Sequence, residues 1–209
     1  QFVQKLYNAG LRDVNISIHS HLEKVSDNLT QRKGHYKKTI AGIKNSIESG
    51  MNVSVNSTIN SKNCSHLLDF MQFMVKKFPG VNHYVFNNLD PGCADGNLIS
   101  RAGQNPWIVA KLTDFELELK KMTDFLQANG KTFRIERVPL CYMQGFEQFS
   151  TETRKIVKNE LYICSFIEKD IKNRVRRIKP LKFDRNIKVD CCKVCKLSPI
   201  CGGIQKEYL

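Results

Sequence analysis

The apolar positions of the chain follow two different periods in turn. Segments in which apolar and polar residues largely alternate are typical of β-strands, and they lie at 13–20, 51–59, 81–89 and 131–138. Segments in which apolar residues recur every three or four positions are typical of helices, and they lie at 2–9, 36–48, 64–78 and 106–128. Strands that alternate with such helices lie parallel and are joined by right-handed crossovers. The pattern therefore predicts an α/β fold with a parallel sheet.

The periodic pattern ends after the fourth predicted strand. The segment 142–190 is basic and aromatic and has no clear period, so we expect it to be irregular. We therefore predict two domains. Residues 1–138 would form the α/β domain, and residues 139–209 a small, irregular, cysteine-rich extension.

Polar residues stand where three successive predicted strands end. They are Ser17, His19, Asn56, Ser57, Asn87 and Asn88. Ligands of parallel α/β folds bind at the carboxyl ends of the strands, which favours a polar ligand at this edge. The alternative is that these side chains only solvate the starts of the loops.

The chain carries a formal net charge of +13. Between Arg154 and Lys188 it has twelve Lys or Arg against four Asp or Glu. This block could bind nucleic acid, an acidic peptide or another anionic partner, or it could be a solvated basic face. Nucleic acid is possible but not favoured, because we find no nucleic-acid-binding motif and no basic groove with interleaved aromatic residues.

The ends and the apolar runs of the chain bear on its location. No apolar run approaches the roughly 18 residues of a membrane span, so we expect no membrane partner. The opening residues, QFVQKLYNAGL, do not resemble a signal peptide, and we expect a cytoplasmic protein. Because the chain begins at Gln1 within a helical pattern, we interpret it as a fragment of a longer protein.

Four of the eight cysteines lie within the segment CCKVCKLSPICGG at 191–203. Cys192, Cys195 and Cys201 have the spacing C-x2-C-x5-C, and a C-x2-C pair directs two thiolates to one metal or cluster. Without a secretion signal, this spacing indicates metal binding rather than disulfides. Gly202 and Gly203 would let the backbone come close to the bound group.

Three such thiolates leave one ligand position to be filled. The candidates are Cys141, Cys164 and Cys191. Cys191 is disfavoured because neighbouring residues seldom both point at one metal, and Cys164 lies in an apolar run. We favour Cys141, which closely follows Pro139 after the last predicted strand. Zinc and an iron–sulfur cluster both take four thiolates, so the spacing leaves both open.

Several stretches, in order along the chain, resemble the radical SAM superfamily. More narrowly, they resemble members with an auxiliary iron–sulfur cluster in a C-terminal extension of the twitch or SPASM type. AGLRDVNISIHS resembles the entry to the fourth barrel strand, and LDPGCADGN the loop after the sixth strand. IERVPLC and CKVCKLSPICGGIQKEY resemble the auxiliary-cluster region. The resemblance covers nearly the whole chain.

The resemblance implies the C-terminal portion of a partial (β/α)6, TIM-like barrel, from the fourth strand onward. It further implies that S-adenosylmethionine (SAM) binds across the strand ends and is cleaved reductively to a 5′-deoxyadenosyl radical. Ser17 and Asn56 match family positions that contact SAM, and Arg32 lies near a place where some relatives bind the SAM carboxylate. Cys141, Cys192, Cys195 and Cys201 would bind an auxiliary 4Fe-4S cluster, which favours iron–sulfur over zinc.

The chain also departs from the family pattern. The C-x3-C-x2-C motif for the SAM-activating 4Fe-4S cluster is absent, and no cysteine precedes Cys64. We expect that motif, with the first three strands, in a missing N-terminal half. Gln205 stands where the full SPASM pattern has a fourth local cysteine.

Two functions follow from these observations. The first is the C-terminal part of a radical SAM enzyme that modifies a substrate, which we expect to be a peptide or protein. The alternative is a zinc-stabilised basic module that binds nucleic acid or an acidic partner without catalysis.

Overall fold

The structure is a computed structural model of the chain. It describes residues 2–90, 105–160, 162–168, 174–180, 186–205 and 208, with the backbone alone for Pro106, 162–168 and 174–180. The chain divides into two compact units, Gln1–Val138 and Pro139–Leu209. Most of the predicted loop at 90–97 lies outside the described residues, and so do the side chains of much of the basic block.

The first unit contains a parallel sheet flanked by helices. The strands of its described part are β1 (Asp13–Ser17), β2 (Asn52–Ile59), β3 (Val81–Asn88) and β4 (Thr132–Glu136). The helices there are α1 (Phe2–Asn8), α2 (Glu23–Thr30), α3 (His35–Glu48), α4 (Leu67–Lys77) and α5 (Leu112–Ala128). Short 3-10 turns lie at Cys64–His66 and Pro106–Ile108. The α/β fold with parallel strands is therefore confirmed, and closure into a barrel stays a prediction.

The strands of this sheet lie in the order β1-β2-β3-β4, and all three pairs are parallel. Each connection between neighbours contains at least one helix, as parallel pairing requires. The register pairs Ser17 with Asn56 and Asn87 with Glu136. The carboxyl ends of all four strands consequently lie along one edge of the sheet.

The two faces of β2 differ because successive side chains of a strand point to opposite sides. Val53, Val55 and Ile59 are buried on one face, where helices cover the sheet. Ser54, Asn56 and Thr58 point the other way and are only half-buried. We call the second side the open face. Parallel sheets are normally covered on both faces, so a polar open face suggests a place for a ligand or a further layer.

Helices α4 and α5 form much of the apolar layer beneath the sheet. Their inward side chains are fully buried and recur every three or four residues: Leu67, Phe70, Met71, Met74, Phe115, Leu119, Met122 and Leu126. The carboxylate of Asp114 accepts a hydrogen bond from the Lys111 N–H, which satisfies an N–H at the start of α5. The apolar stripes read from the sequence thus mark the core.

The second unit is more regular than the sequence suggested. Within 142–190 it contains a helix, α6 (Thr151–Val157), and an antiparallel pair, β5 (Tyr162–Glu168) and β6 (Arg174–Pro180). The expectation of an irregular segment was therefore wrong. The charged residues of β6 hide the strand period. A short pair, β7 (Asn186–Ile187) and β8 (Ile204–Gln205), brackets the cysteine segment.

Smaller differences concern element boundaries. Helix α2 was not predicted, since its sequence EKVSDNLT is largely polar. The first strand was expected to reach residue 20 but ends at Ser17, because the next three residues turn into polar contacts described below. Within the described residues, no helix is long and apolar enough to cross a membrane.

Helix α5 offers a matched pair of leucines that tests the core. Leu119 is 0% exposed and Leu117 is 64% exposed. We expect Leu119→Ala to lower the free energy of unfolding by about 2–5 kcal/mol, because it removes buried surface and leaves a cavity. Leu117→Ala should change it by less than about 0.5 kcal/mol. Urea denaturation followed by circular dichroism measures both, and equal losses would contradict this packing of α5.

Candidate functional site

The six polar residues predicted at the strand ends fall on two sides of the sheet. Ser17, Asn56 and Asn87 lie on the open face, where they are exposed or half-buried. Ser57 and Asn88 are buried on the helix side. The strand alternation thus removes these two residues from the predicted ligand edge. A ligand on the open face would contact Ser17, Asn56 and Asn87.

Ser17, Asn56 and Asn87 come together on three neighbouring strands. Ser17 pairs in register with Asn56 across β1 and β2. The side-chain amide of Asn87 donates to Oδ1 of Asn56 at 2.6 Å. This bond leaves the Asn56 amide N–H2 and the Ser17 hydroxyl as polar groups on the open face. We call these three residues the polar triad.

Arg32 lies in the turn between α2 and α3 and is exposed. The carboxylate of Asp27 accepts hydrogen bonds from the N–H groups of Tyr36 and Gly34, and these bonds hold the pKa of Asp27 below its usual value. The turn is therefore fixed from within. The contact of Arg32 with the SAM carboxylate stays a prediction.

A second set of polar residues closes the ends of β1 and β2. Thr58 donates its backbone N–H to Nδ1 of His19 at 3.0 Å. The fully buried Asn63 donates to the carbonyl oxygens of His19 and Thr58, at 2.8 and 2.9 Å. Its Oδ1 accepts the N–H of Asn60 at 2.8 Å. Sequence reasoning singled out His19 but missed Asn63, whose position before a predicted helix gave no indication of a role between strands.

Two further histidines lie just beyond this network. Nε2 of His66 lies 3.0 Å from the Ser20 hydroxyl, and the ring of His21 meets the His66 ring edge-on with centroids 5.4 Å apart. His21 also stacks on Phe70. Burial lowers the pKa of both histidines, although the charge of Asp69 partly offsets this. The loop after β1 is thus packed against α4 by neutral rings.

An exposed aromatic side chain lies beside the loop that follows β2, near the carboxyl ends of the strands. Trp107 is 57% exposed, and the Lys62 ammonium lies 5.0 Å from the centre of its ring. The Ser61 hydroxyl donates to the Trp107 carbonyl at 2.8 Å, and the Ser61 N–H donates to Ile108 O at 2.9 Å. Trp107 is therefore held against the loop that follows β2.

The four predicted cluster ligands lie in the second unit. Cys141 and Cys195 are exposed, Cys192 and Cys201 are half-buried, and none forms a disulfide. Hydrogen bonds three residues apart turn the backbone from Cys192 to Cys195, on to Ser198 and then to Cys201. The Gly203 N–H donates to the Cys201 sulfur at 3.3 Å. Gly203 has a φ of +87°, and a Cβ there would meet the Ile187 carbonyl oxygen at 2.7 Å, so only glycine fits.

The other thiols of the second unit act on the pKa of Cys141. Partial burial of its sulfur raises the pKa of the Cys141 thiol, and the charges of Cys201, Cys192 and Cys191 raise it further. Within the residues that the structure describes, however, no three His, Cys, Asp or Glu side chains converge as metal ligands do. The donor set suits a thiolate-bound metal or cluster in type. The choice of Cys141, Cys164 or Cys191 as the fourth ligand stays open.

Of the remaining cysteines, only Cys64, in the first unit, has a described side chain. Cys64 is buried at the 3-10 turn before α4, and burial raises the pKa of its thiol. Cys164 lies on β5, where only the backbone is described, and Cys93 lies outside the described residues. Cys64 is therefore a packing residue.

Comparison with known proteins identifies the fold and not the family. No protein-family model and no curated protein matches the chain. The crystal structure of SuiB from Streptococcus suis bound to S-adenosylmethionine matches 93% of this chain and 50% of the SuiB chain, with a TM-score of 0.56 and 12% identity. A second SuiB structure matches 59% of this chain and 26% of that chain, with a TM-score of 0.45 and 13% identity. Our chain thus spans about half the length of SuiB and shares its fold there.

The buried Asn63 provides a test of how the strand ends are held. We expect Asn63→Ala to lower the free energy of unfolding by about 2–4 kcal/mol, because the buried Asn60 N–H and the His19 carbonyl lose their partner and the Thr58 carbonyl keeps only the Asn60 amide. Asn45, exposed on α3, provides the control, and Asn45→Ala should change stability by less than about 0.5 kcal/mol. Thermal and urea unfolding measure both. If the two variants were equally stable, the network would not hold the strand ends.

Proposed function

We propose that the chain is the C-terminal part of a radical SAM enzyme that modifies a peptide or protein. The polar triad on the open face is the observation that supports this most directly. Two residues assigned to SAM by the sequence resemblance, Ser17 and Asn56, are register partners on adjacent strands. A shared fold with SuiB, whose structure was determined with SAM bound, agrees with a SAM site in this fold.

The chemistry of the triad suits the polar groups of SAM. The Ser17 hydroxyl donates and accepts hydrogen bonds, and the Asn56 amide N–H2 donates them. Because Oδ1 of Asn56 already accepts from Asn87, the Asn56 amide is fixed in one orientation with its donors outward. Arg32 would bring a cation to the SAM carboxylate. When bound and reduced, SAM supplies a radical that removes a hydrogen atom from the substrate.

The second unit would hold an auxiliary 4Fe-4S cluster. The ligands would be Cys192, Cys195, Cys201 and a fourth cysteine, which we expect to be Cys141 rather than Cys164 or Cys191. The Gly203 N–H would stabilise the Cys201 thiolate. Lys188 braces the same loop, since its ammonium donates to the carbonyls of Ser198 and Cys201, at 2.7 Å each. The activating cluster would be held elsewhere in the full-length enzyme, by a C-x3-C-x2-C motif.

The peptide or protein substrate is proposed from the family resemblance and the charge of the chain. A net charge of +13 favours an anionic partner by electrostatic attraction. The exposed basic residues around the cysteine loop, Lys193 and Lys196, contribute to that charge, although Asp190 pairs with Lys193 at 2.8 Å.

A pair of asparagines on β2 tests the SAM site. Asn56 and Asn52 lie on the same face of the strand, near its carboxyl end and at its amino end. We expect Asn56→Ala to weaken SAM binding about tenfold, the value of roughly one hydrogen bond. Asn52→Ala should change it less than about twofold, because Asn52 bonds Asp13 far from the edge. Calorimetric titration of the protein expressed from its complete reading frame measures both, and equal effects would contradict the site.

The metal content of anaerobically purified protein tests the auxiliary cluster. Beyond any iron bound by the activating motif, we expect about four iron and four sulfide per chain. Cys195→Ser should abolish the binding of these additional iron and sulfide ions. Cys64→Ala, which changes a buried thiol of the other unit, should leave their binding intact.

Comparison of Cys141→Ser, Cys164→Ser and Cys191→Ser identifies the fourth ligand. Only the variant that removes a ligand should lose the cluster's absorbance near about 400 nm. One zinc per chain, with no absorbance in the visible range, would instead indicate a structural zinc site and contradict the auxiliary-cluster proposal.

A further inference from the structure

A histidine joins the two strands that carry the proposed SAM contacts. The last backbone bond between these strands runs from the Ile18 N–H to the Asn56 carbonyl, at 3.0 Å. In a continued parallel ladder, the next N–H of β2 would bond a main-chain carbonyl after β1. The Thr58 N–H instead bonds Nδ1 of His19 at 3.0 Å. The imidazole therefore replaces a rung of the ladder.

This bond lies directly beside the polar triad. Asn56 and Thr58 lie on the same face of β2 by strand alternation, Ser17 pairs in register with Asn56, and His19 follows Ser17 by two residues. Asn63 joins the same two strand ends through the carbonyls of His19 and Thr58. His19 is the titratable member of this connection.

The bond requires a neutral imidazole with its hydrogen on Nε2, because Nδ1 accepts. Burial lowers the pKa of His19, and the nearby charge of His35, at the start of α3, lowers it further. The His35 ring has Thr39 as a neighbour and acts on the carboxylate of Asp27. The groups that face His19 from β2 and the following loop, Thr58 N–H and the Asn63 amide, are uncharged donors. No neighbour among these favours the charged ring.

We infer that His19 is a positioning residue for the proposed SAM site, and that the site weakens when this imidazole becomes protonated. A proton on Nδ1 would face the Thr58 N–H and break the bond between the strand ends. Ser17 and Asn56 would then lose their fixed spacing. This inference takes its ligand, SAM, from the proposed function. The bond between Thr58 and His19 is observed independently of that proposal.

The sign of the pH dependence follows from the lowered pKa. The unfolded chain, with His near about pKa 6.5, takes up a proton before the folded chain does. The stability that this bond contributes is therefore complete above that value and declines as the pH falls below it. The strand spacing of the folded protein changes only as the pH falls through the lower, folded pKa of His19. Acidification should accordingly weaken SAM binding, without any change in the residues that touch SAM.

The test compares SAM affinity in three proteins at about pH 7.5 and at the lowest pH at which all three stay folded, so that the range extends well below the ordinary histidine pKa of about 6.5. We expect the affinity of the unsubstituted protein to fall about tenfold, as for the loss of one hydrogen bond. His19→Asn keeps an acceptor oxygen near the place of Nδ1 but cannot titrate. Its affinity for SAM should therefore fall less than about threefold between the two pH values. The comparison also cancels the titration of SAM itself.

His83 provides the matched control. It lies on the open face of β3 near the amino end of the sheet, and burial lowers its pKa too. His83→Asn should keep the full pH dependence. If His19→Asn kept it as well, the inference would be overturned.

A second readout separates this inference from the proposed function. The NMR shift of the Thr58 amide proton should follow the titration of His19 and should be constant with pH in His19→Asn. If SAM does not bind even at about pH 7.5, the SAM proposal fails, and the Thr58 titration still decides whether His19 holds the strands. A Thr58 proton that ignores the His19 titration would refute the role of His19.

Discussion

The register between β1, β2 and β3 is the constraint on which the first unit depends. Strand alternation means that a slip of one residue would exchange the two faces of a strand. In the observed register, Val55 pairs with Tyr84 beneath the helices, and Asn56 pairs with Val85 on the open face. Burial of the apolar face selects this register, because the slipped alternative would place valines in water and amides in the core. The polar triad is thus a by-product of core packing.

The second unit has little of this kind of support around its cysteines. The turns at Asp190–Lys193 and Ser198–Ile200 contain no buried residue. Their shape depends on local hydrogen bonds, such as those from Lys188 and Gly203. A segment without a core gains stability mainly from cross-links, and a bound metal or cluster is one kind of cross-link. Metal binding and folding of this loop would then be one equilibrium.

The sequence predicted what depends on period and missed what depends on contacts between distant residues. The stripes of α4 and α5 and the alternation of β2 identified the parallel sheet and the edge at which its strands end. Helix α2 and strand β6 were missed because their residues are largely polar or charged, and charge masks the period. Strand β5 was missed because its apolar run, YICSF, does not alternate with polar residues. The side of the sheet on which Ser57 and Asn88 fall required the register. Asn63 required the fold itself, since its partners are up to 44 positions away.

Trp107 gives this edge of the sheet an optical property of its own. It is the one tryptophan of the 209 residues, so the red-edge absorbance and emission of the protein arise from a single place. Its indole is largely in water, lies beside the Lys62 ammonium, and is fixed by Ser61 to the loop after β2. Any molecule that settles on this rim would change the polarity around the fluorophore. The protein therefore carries a built-in reporter at the edge where its strands end.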